Sequence, residues 1–110
     1  MGESCKPVRT VTFSEAQKKI ASGKKLLVHF AADWCGACQK SLPEVDKASC
    51  ELEKSGVEVV RVDVDKNPYM LAKHKVEAYP TVIEFQGGKE VRRNEGADKA
   101  EKYVKMATKE

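Results

Sequence analysis

Residues 25–43 read KLLVHFAADWCGACQKSLP. The first part is a nearly continuous apolar run, which predicts a central strand covered on both faces. The run breaks at Asp33, and Cys35 and Cys38 follow at the spacing of one helical turn. From Cys35 to about Lys54 the pattern is helical, because Leu42, Val45, Ala48 and Leu52 fall on one face. Pro43 lies inside that helix, where it lacks an N–H donor and predicts a kink. The two cysteines therefore stand where a buried strand turns into a helix. Such a pair could hold a metal, staple the fold, or exchange electrons with other thiols.

The rest of the chain narrows these three uses. It has four cysteines, Cys5, Cys35, Cys38 and Cys50, and two histidines. A structural zinc site needs four ligands, often as two close pairs. Only one close cysteine pair exists, and His29 and His74 lack ligand-like spacing to it, so no metal is expected. Disulfide-stapled secreted domains are usually shorter or richer in cysteine. Cys5 and Cys50 accordingly read as free structural thiols. Redox exchange remains for Cys35 and Cys38.

A length of 110 residues suits one compact domain over residues 1–110. Hydrophobic residues make up 41%, enough for one core. Charged residues make up 34%, with a net charge of only +3. Lys18, Lys19, Lys24 and Lys25 are interleaved with Glu15 and apolar positions, which reads as a solvated face rather than a nucleic-acid patch. No apolar run approaches the ~18 residues of a membrane span. MGESCKPVRT lacks a signal-peptide core, and Lys6 stands where a myristoylation pattern needs Ser or Thr. These features predict a cytoplasmic protein, or a periplasmic or exported one if a leader has been removed.

Outward from the central stretch, PVRTVTF alternates and predicts a first strand. Thr12 with Glu15, or Ser14 with Gln17, can form a capping box for a helix whose inner face is Phe13, Ala16, Ile20 and Ala21, stopped at Gly23. GVEVVRVDVD predicts a strand. NPYMLAKHKV predicts a short helix with Asn67 as cap and Pro68 first. PTVIEFQGGKEVRRNEG predicts two strands joined by a Gly-Gly hairpin. ADKAEKYVKMATKE predicts an amphipathic helix with Ala100, Tyr103, Val104 and Ala107 inward. The order β-α-β-α-β-α-β-β-α makes the first three strands parallel through right-handed crossovers. The closing hairpin is antiparallel, so the sheet is a mixed five-stranded one with helices on both faces.

These residues resemble the thioredoxin family over nearly the whole chain. DWCGAC resembles the active-site motif, and Pro43 the helix-kinking proline five residues after the second cysteine. AYPT resembles the cis-proline segment, with Pro80 as the cis residue. Gly88 and Gly96 match glycines around the last hairpin. The resemblance implies an α/β thioredoxin fold and a protein dithiol-disulfide oxidoreductase. Cys35 would be the thiolate nucleophile, its pKa lowered by the helix start, and Cys38 the buried resolving thiol. Trp34, Gly36, Ala37, Tyr79, Pro80, Glu95 and Gly96 would form the substrate-facing surface, with the backbone before Pro80 pairing with substrate. Implied partners are disulfide-bearing proteins and a thioredoxin-reductase-like or other thiol donor, acting on a monomer without cofactor, metal or nucleic acid.

Three departures matter. Gly36-Ala37 replaces the family's usual Gly-Pro. AADWCGAC is also similar to a thioredoxin-like domain of bacterial transmembrane thiol-reducing proteins, which leaves open an envelope electron donor or oxidant. His29 stands where the family keeps a buried aspartate, and is a candidate proton acceptor for Cys38. Its alternative is a core histidine with a bonded ring. Arg61 replaces the lysine that pairs with that aspartate, and cannot lose its proton. Glu84 replaces an apolar residue on the neighbouring strand, so a row Arg61–His29–Glu84 is one expectation and a solvent-tipped Glu84 the other. Glu95 puts a charge beside the site that would discriminate against acidic partners. A binding module on the same scaffold is the reading from another class, but binding alone has no need of the thiols.

Overall fold

The computed structural model describes residues 7–109. Its elements run β1 (Arg9–Thr10), α1 (Phe13–Ala21), β2 (Leu26–Ala31), α2 (Gly36–Glu53), β3 (Glu58–Asp63), α3 (Pro68–His74), β4 (Thr81–Gln86), β5 (Lys89–Glu95) and α4 (Ala100–Thr108). The sheet order is β1-β3-β2-β4-β5. β1, β3 and β2 are mutually parallel, and β4 and β5 are antiparallel to their neighbours. This is the mixed five-stranded sheet expected from the element order.

β2 is central and every one of its six residues is buried. Its alternate side chains serve two cores. Leu26, Val28 and Phe30 pack with Ala16 and Ile20 of α1 and Met70 of α3. Leu27 packs with Val45, Ala48 and Leu52 of α2 and Tyr103, Met106 and Ala107 of α4. His29 lies on the α2/α4 side by the same alternation.

Local chemistry sets the element ends. β1 is shorter than PVRTVTF predicts, because Thr12 leaves the strand to cap α1, accepting from Glu15 N–H at 3.1 Å. Ala21 is exposed at the end of α1, and Met106 takes an inward place in α4 that was not expected. Asn67 stands before α3 without capping it, and its amide donates instead to the Asp63 carbonyl at 2.8 Å. Gly87 and Gly88 both have positive φ, 65° and 81°, as a two-residue hairpin with the native twist requires. Cys5 lies outside the described residues.

Candidate active site

β2 ends at Ala31, and a short turn delivers Cys35 to the N-cap of α2. Its extended backbone, φ −91° and ψ 118°, lets the Cys35 Sγ accept the Cys38 N–H at 3.1 Å. Cys35 and Cys38 are joined as a disulfide with a Cα–Cα distance of 5.1 Å. The Gln39 side chain donates to the Asp33 carbonyl at 2.7 Å and fixes the turn. Cys35 is 8% exposed and Cys38 0%, so attack from outside meets Cys35 first. A helix N-terminus favours negative charge on the sulfur at its cap.

Around the pair, Gly36 and Ala37 are exposed on the first turn of α2. Trp34 is 64% exposed, and its indole N–H donates to the Asp65 carboxylate at 2.8 and 3.1 Å. Its ring meets the Tyr79 ring edge-on at 6.1 Å. The Tyr79–Pro80 bond is cis. The Tyr79 carbonyl oxygen lies 3.6 Å from Cys35 Sγ. Gly96, at φ 91°, donates its N–H to the Pro80 carbonyl at 2.8 Å, which ties the end of β5 to this corner. Glu95 stands opposite Thr81 in the sheet and is exposed. The residues singled out in the sequence thus converge on one edge of the molecule.

Behind the pair, His29 is fully buried and stands opposite Arg61 across β2 and β3. Arg61 Nε donates to His29 Nδ1 at 3.0 Å. His29 Nε2 lies 3.0 Å from Ser41 Oγ, and Ser41 Oγ donates to the Cys38 carbonyl at 2.9 Å. A guanidinium N–H can only donate, so Nδ1 carries the lone pair and the neutral ring carries its proton on Nε2. Burial, and after it the Arg61 charge, push the His29 pKa down to about 3. A proton acceptor for Cys38 needs a vacant lone pair, and this arrangement leaves His29 none. Arg61 is itself lowered by burial and held up by Asp46, whose Oδ1 lies 3.3 Å away. Ser41 was missed in the sequence. Its signal is a serine three residues after a helical cysteine, where the hydroxyl can bond back to that residue's carbonyl.

Glu84 corrects both sequence expectations. The β2–β4 register sets Val82, not Glu84, opposite His29, and Glu84 faces Leu27. Glu84 is also fully buried rather than tipped toward solvent. Arg92, its cross-strand neighbour on β5, binds it at 2.7 Å, and the Lys25 ammonium lies 3.9 Å from its other oxygen. Cys50 is disulfide-bonded, which corrects the reading of it as a free thiol. Among the described residues, no three His, Cys, Asp or Glu converge as metal ligands would, and no helix is long and apolar enough to cross a membrane.

Residues 6–109 match the family model described as thioredoxin. The chain belongs to the thioredoxin family. It is 33% identical over 102 residues to a thioredoxin of Chlamydia trachomatis, covering 93% of this chain and 97% of that one. A relative of Schizosaccharomyces pombe named for protein disulfide-isomerase is 35% identical over 91 residues, 83% of this chain but only 18% of its own length. Mitochondrial thioredoxin 3 of Saccharomyces cerevisiae, in its oxidised form, superposes with a TM-score of 0.78 at 27% identity, over 91% of this chain and 92% of that one. The thioredoxin-like chain is thus a disulfide oxidoreductase domain with Cys35–Cys38 as its redox pair.

Proposed function

We propose that the protein reduces disulfides in other proteins, with Cys35 as nucleophile and Cys38 as resolving thiol. The observation that carries this is the asymmetry of the pair: Cys35 is the helix cap facing the surface, and Cys38 is sealed beneath it. In the reduced protein the Cys35 thiolate attacks one sulfur of a substrate disulfide. A Cys35–substrate bond forms, and the other substrate sulfur leaves as a thiolate that takes a proton from water. Cys38 gives up its proton to water and attacks Cys35 Sγ, breaking the Cys35–substrate bond and releasing the second substrate thiolate, which takes a proton from water. Two electrons pass to the substrate, and the Cys35–Cys38 disulfide is left for a thioredoxin-reductase-like or other dithiol donor to reduce.

Trp34, Gly36, Ala37, Tyr79, Pro80, Glu95 and Gly96 are proposed to seat the substrate chain. The exposed Trp34 and the Tyr79 carbonyl beside Cys35 Sγ support this, because an extended substrate can pair with that backbone. We place the protein in the cytoplasm as a monomer. Of the alternatives, a role as oxidant is favoured by one specific observation, the Arg61 cation behind the site where the resemblance implies an aspartate–lysine pair. The test is insulin reduction by dithiothreitol. Wild type is expected to accelerate it, and Cys35→Ser to abolish the acceleration. Equal rates for the two would remove the oxidoreductase reading.

A further inference from the structure

The hydrogen bonds behind the redox pair all point the same way. Arg61 donates to His29 at 3.0 Å, the His29 Nε2–H faces Ser41 Oγ at 3.0 Å, and Ser41 donates to the Cys38 carbonyl at 2.9 Å. The chain starts at a permanent cation and ends on the first turn of α2. Each intermediate group accepts on the Arg61 side and donates on the Cys38 side. His29 and Ser41 are both fully buried, so water does not compete for these bonds.

We propose that Arg61, His29 and Ser41 form a one-way relay that fixes His29 as a neutral Nε2–H donor and directs positive character at the Cys35–Cys38 turn, so that His29 is a positioning residue and the Cys38 proton goes to water. The inference rests on the reading of Cys35–Cys38 as the redox pair. Donors aligned on a cation favour an anion at their far end, and in this pair the anion is the Cys35 thiolate of the reduced form. Stabilising the reduced form makes the disulfide easier to reduce and the protein a better oxidant.

The carboxylates around Arg61 do not cancel this. Asp46, on α2, takes the outward end of the guanidinium at 3.3 Å and is itself 38% exposed, so water screens it. Asp33 and Asp63 line a cavity of about 60 Å³ with Arg61, and neither makes an ion pair with it within 4.0 Å; Asp33 is exposed. Glu84 of β4 is occupied by Arg92 and Lys25. Arg61 Nε donates to the imidazole, and its Nη2 to Asp46.

His29→Gln separates a base from a relay. A glutamine can accept from Arg61 and donate to Ser41, but it has no basic nitrogen. With the mixed disulfide trapped and its decay followed by stopped flow, His29→Gln is expected to resolve it within about twofold of wild type. A loss of about a hundredfold or more would make His29 the base and overturn the proposal. Arg61→Gln removes the cation, and equilibration with a glutathione buffer is expected to shift about three- to tenfold toward the Cys35–Cys38 disulfide, with Arg61→Lys close to wild type. An unchanged equilibrium in folded Arg61→Gln would also overturn it. If Arg61→Gln does not fold, long-range ¹H–¹⁵N correlation on wild type decides. A ring protonated on Nε2 and not titrating near neutral pH supports the relay, and an Nδ1–H ring or a neutral-range titration refutes it. That spectrum does not depend on activity, whereas a wild type without insulin reduction would instead bring down the functional reading.

Discussion

Two buried ionic groups sit on the same face of the central sheet, the one turned toward α2 and α4, and they are built with opposite polarity. At the active-site end a neutral imidazole has one cation beside it, Arg61, and its other nitrogen leads through Ser41 to the reactive turn of α2. At the other end a buried carboxylate, Glu84, lies between two cations, Arg92 and Lys25. Those cations also donate to the last carbonyls of α4, Arg92 to Met106 at 3.0 Å and Lys25 to Ala107 at 2.6 Å. Carbonyls at a helix C-terminus have no intrahelical donors and carry partial negative charge. The Glu84 group therefore anchors a helix end, and the His29 group addresses a helix start that carries the chemistry. Burial in the same layer does not decide what a polar group does. The direction of its donors and the element at their far end do.

The largest effect expected from breaking this contrast is at the Glu84 end. Arg92→Met would leave a fully buried carboxylate with only the distant Lys25 ammonium, at a cost of about 3 kcal/mol. Glu84→Leu frees two cations that can reach water, and should stay within about 1 kcal/mol of wild type. Urea unfolding midpoints compare the two variants directly. Equal losses would show that the pair, not the stranded anion, carries the energy. Insulin reduction at a temperature where both variants are folded should remain at the wild-type rate.

The His29 end should show itself in the pH dependence of stability. The unfolded ring titrates near its ordinary value of 6.5, and the native ring, pushed down to about 3, stays neutral. Between those values the unfolded state binds the extra proton, so stability falls as pH drops from 6.5 toward 3, by at most ~1.4 kcal/mol per pH unit from this group. His29→Gln should lose that slope. Burial also lowers His74, and Glu15, Glu44 and Glu90 lie below their usual range, all working in the same direction on acidification. The difference between wild type and His29→Gln in thermal melts across this window isolates His29. Identical slopes would mean that the native ring is protonated.

The smallest effect belongs to a polar contact at the surface. Asp65→Ala removes the acceptor of the Trp34 indole, which is already 64% exposed. Stability should stay within about 0.5 kcal/mol. Emission of Trp34, the single tryptophan of the chain, should change as the indole loses its acceptor. A loss comparable with Arg92→Met would show that exposure does not separate these contacts.

The strand-to-helix junction at Cys35, the place of Pro43 inside α2, Thr12 as one of two candidate caps of α1 and the Gly87-Gly88 hairpin were all legible in the sequence. Each depends on residues within a few positions of one another, where periodicity and turn chemistry act directly. The parallel direction of the first three strands followed as well, because strands that alternate with helices are joined by right-handed crossovers. Only the tertiary structure decided the rest. Glu84 could be assigned to the face of His29 by alternation, but a two-residue shift in register determines whether it meets His29 or Leu27, and packing sets that register. Ser41 could be placed on α2, but its closeness to His29 depends on how that helix lies against β2. The protonation of His29 is fixed by Arg61, 32 residues away in sequence, because a guanidinium permits only one direction for the bond they share.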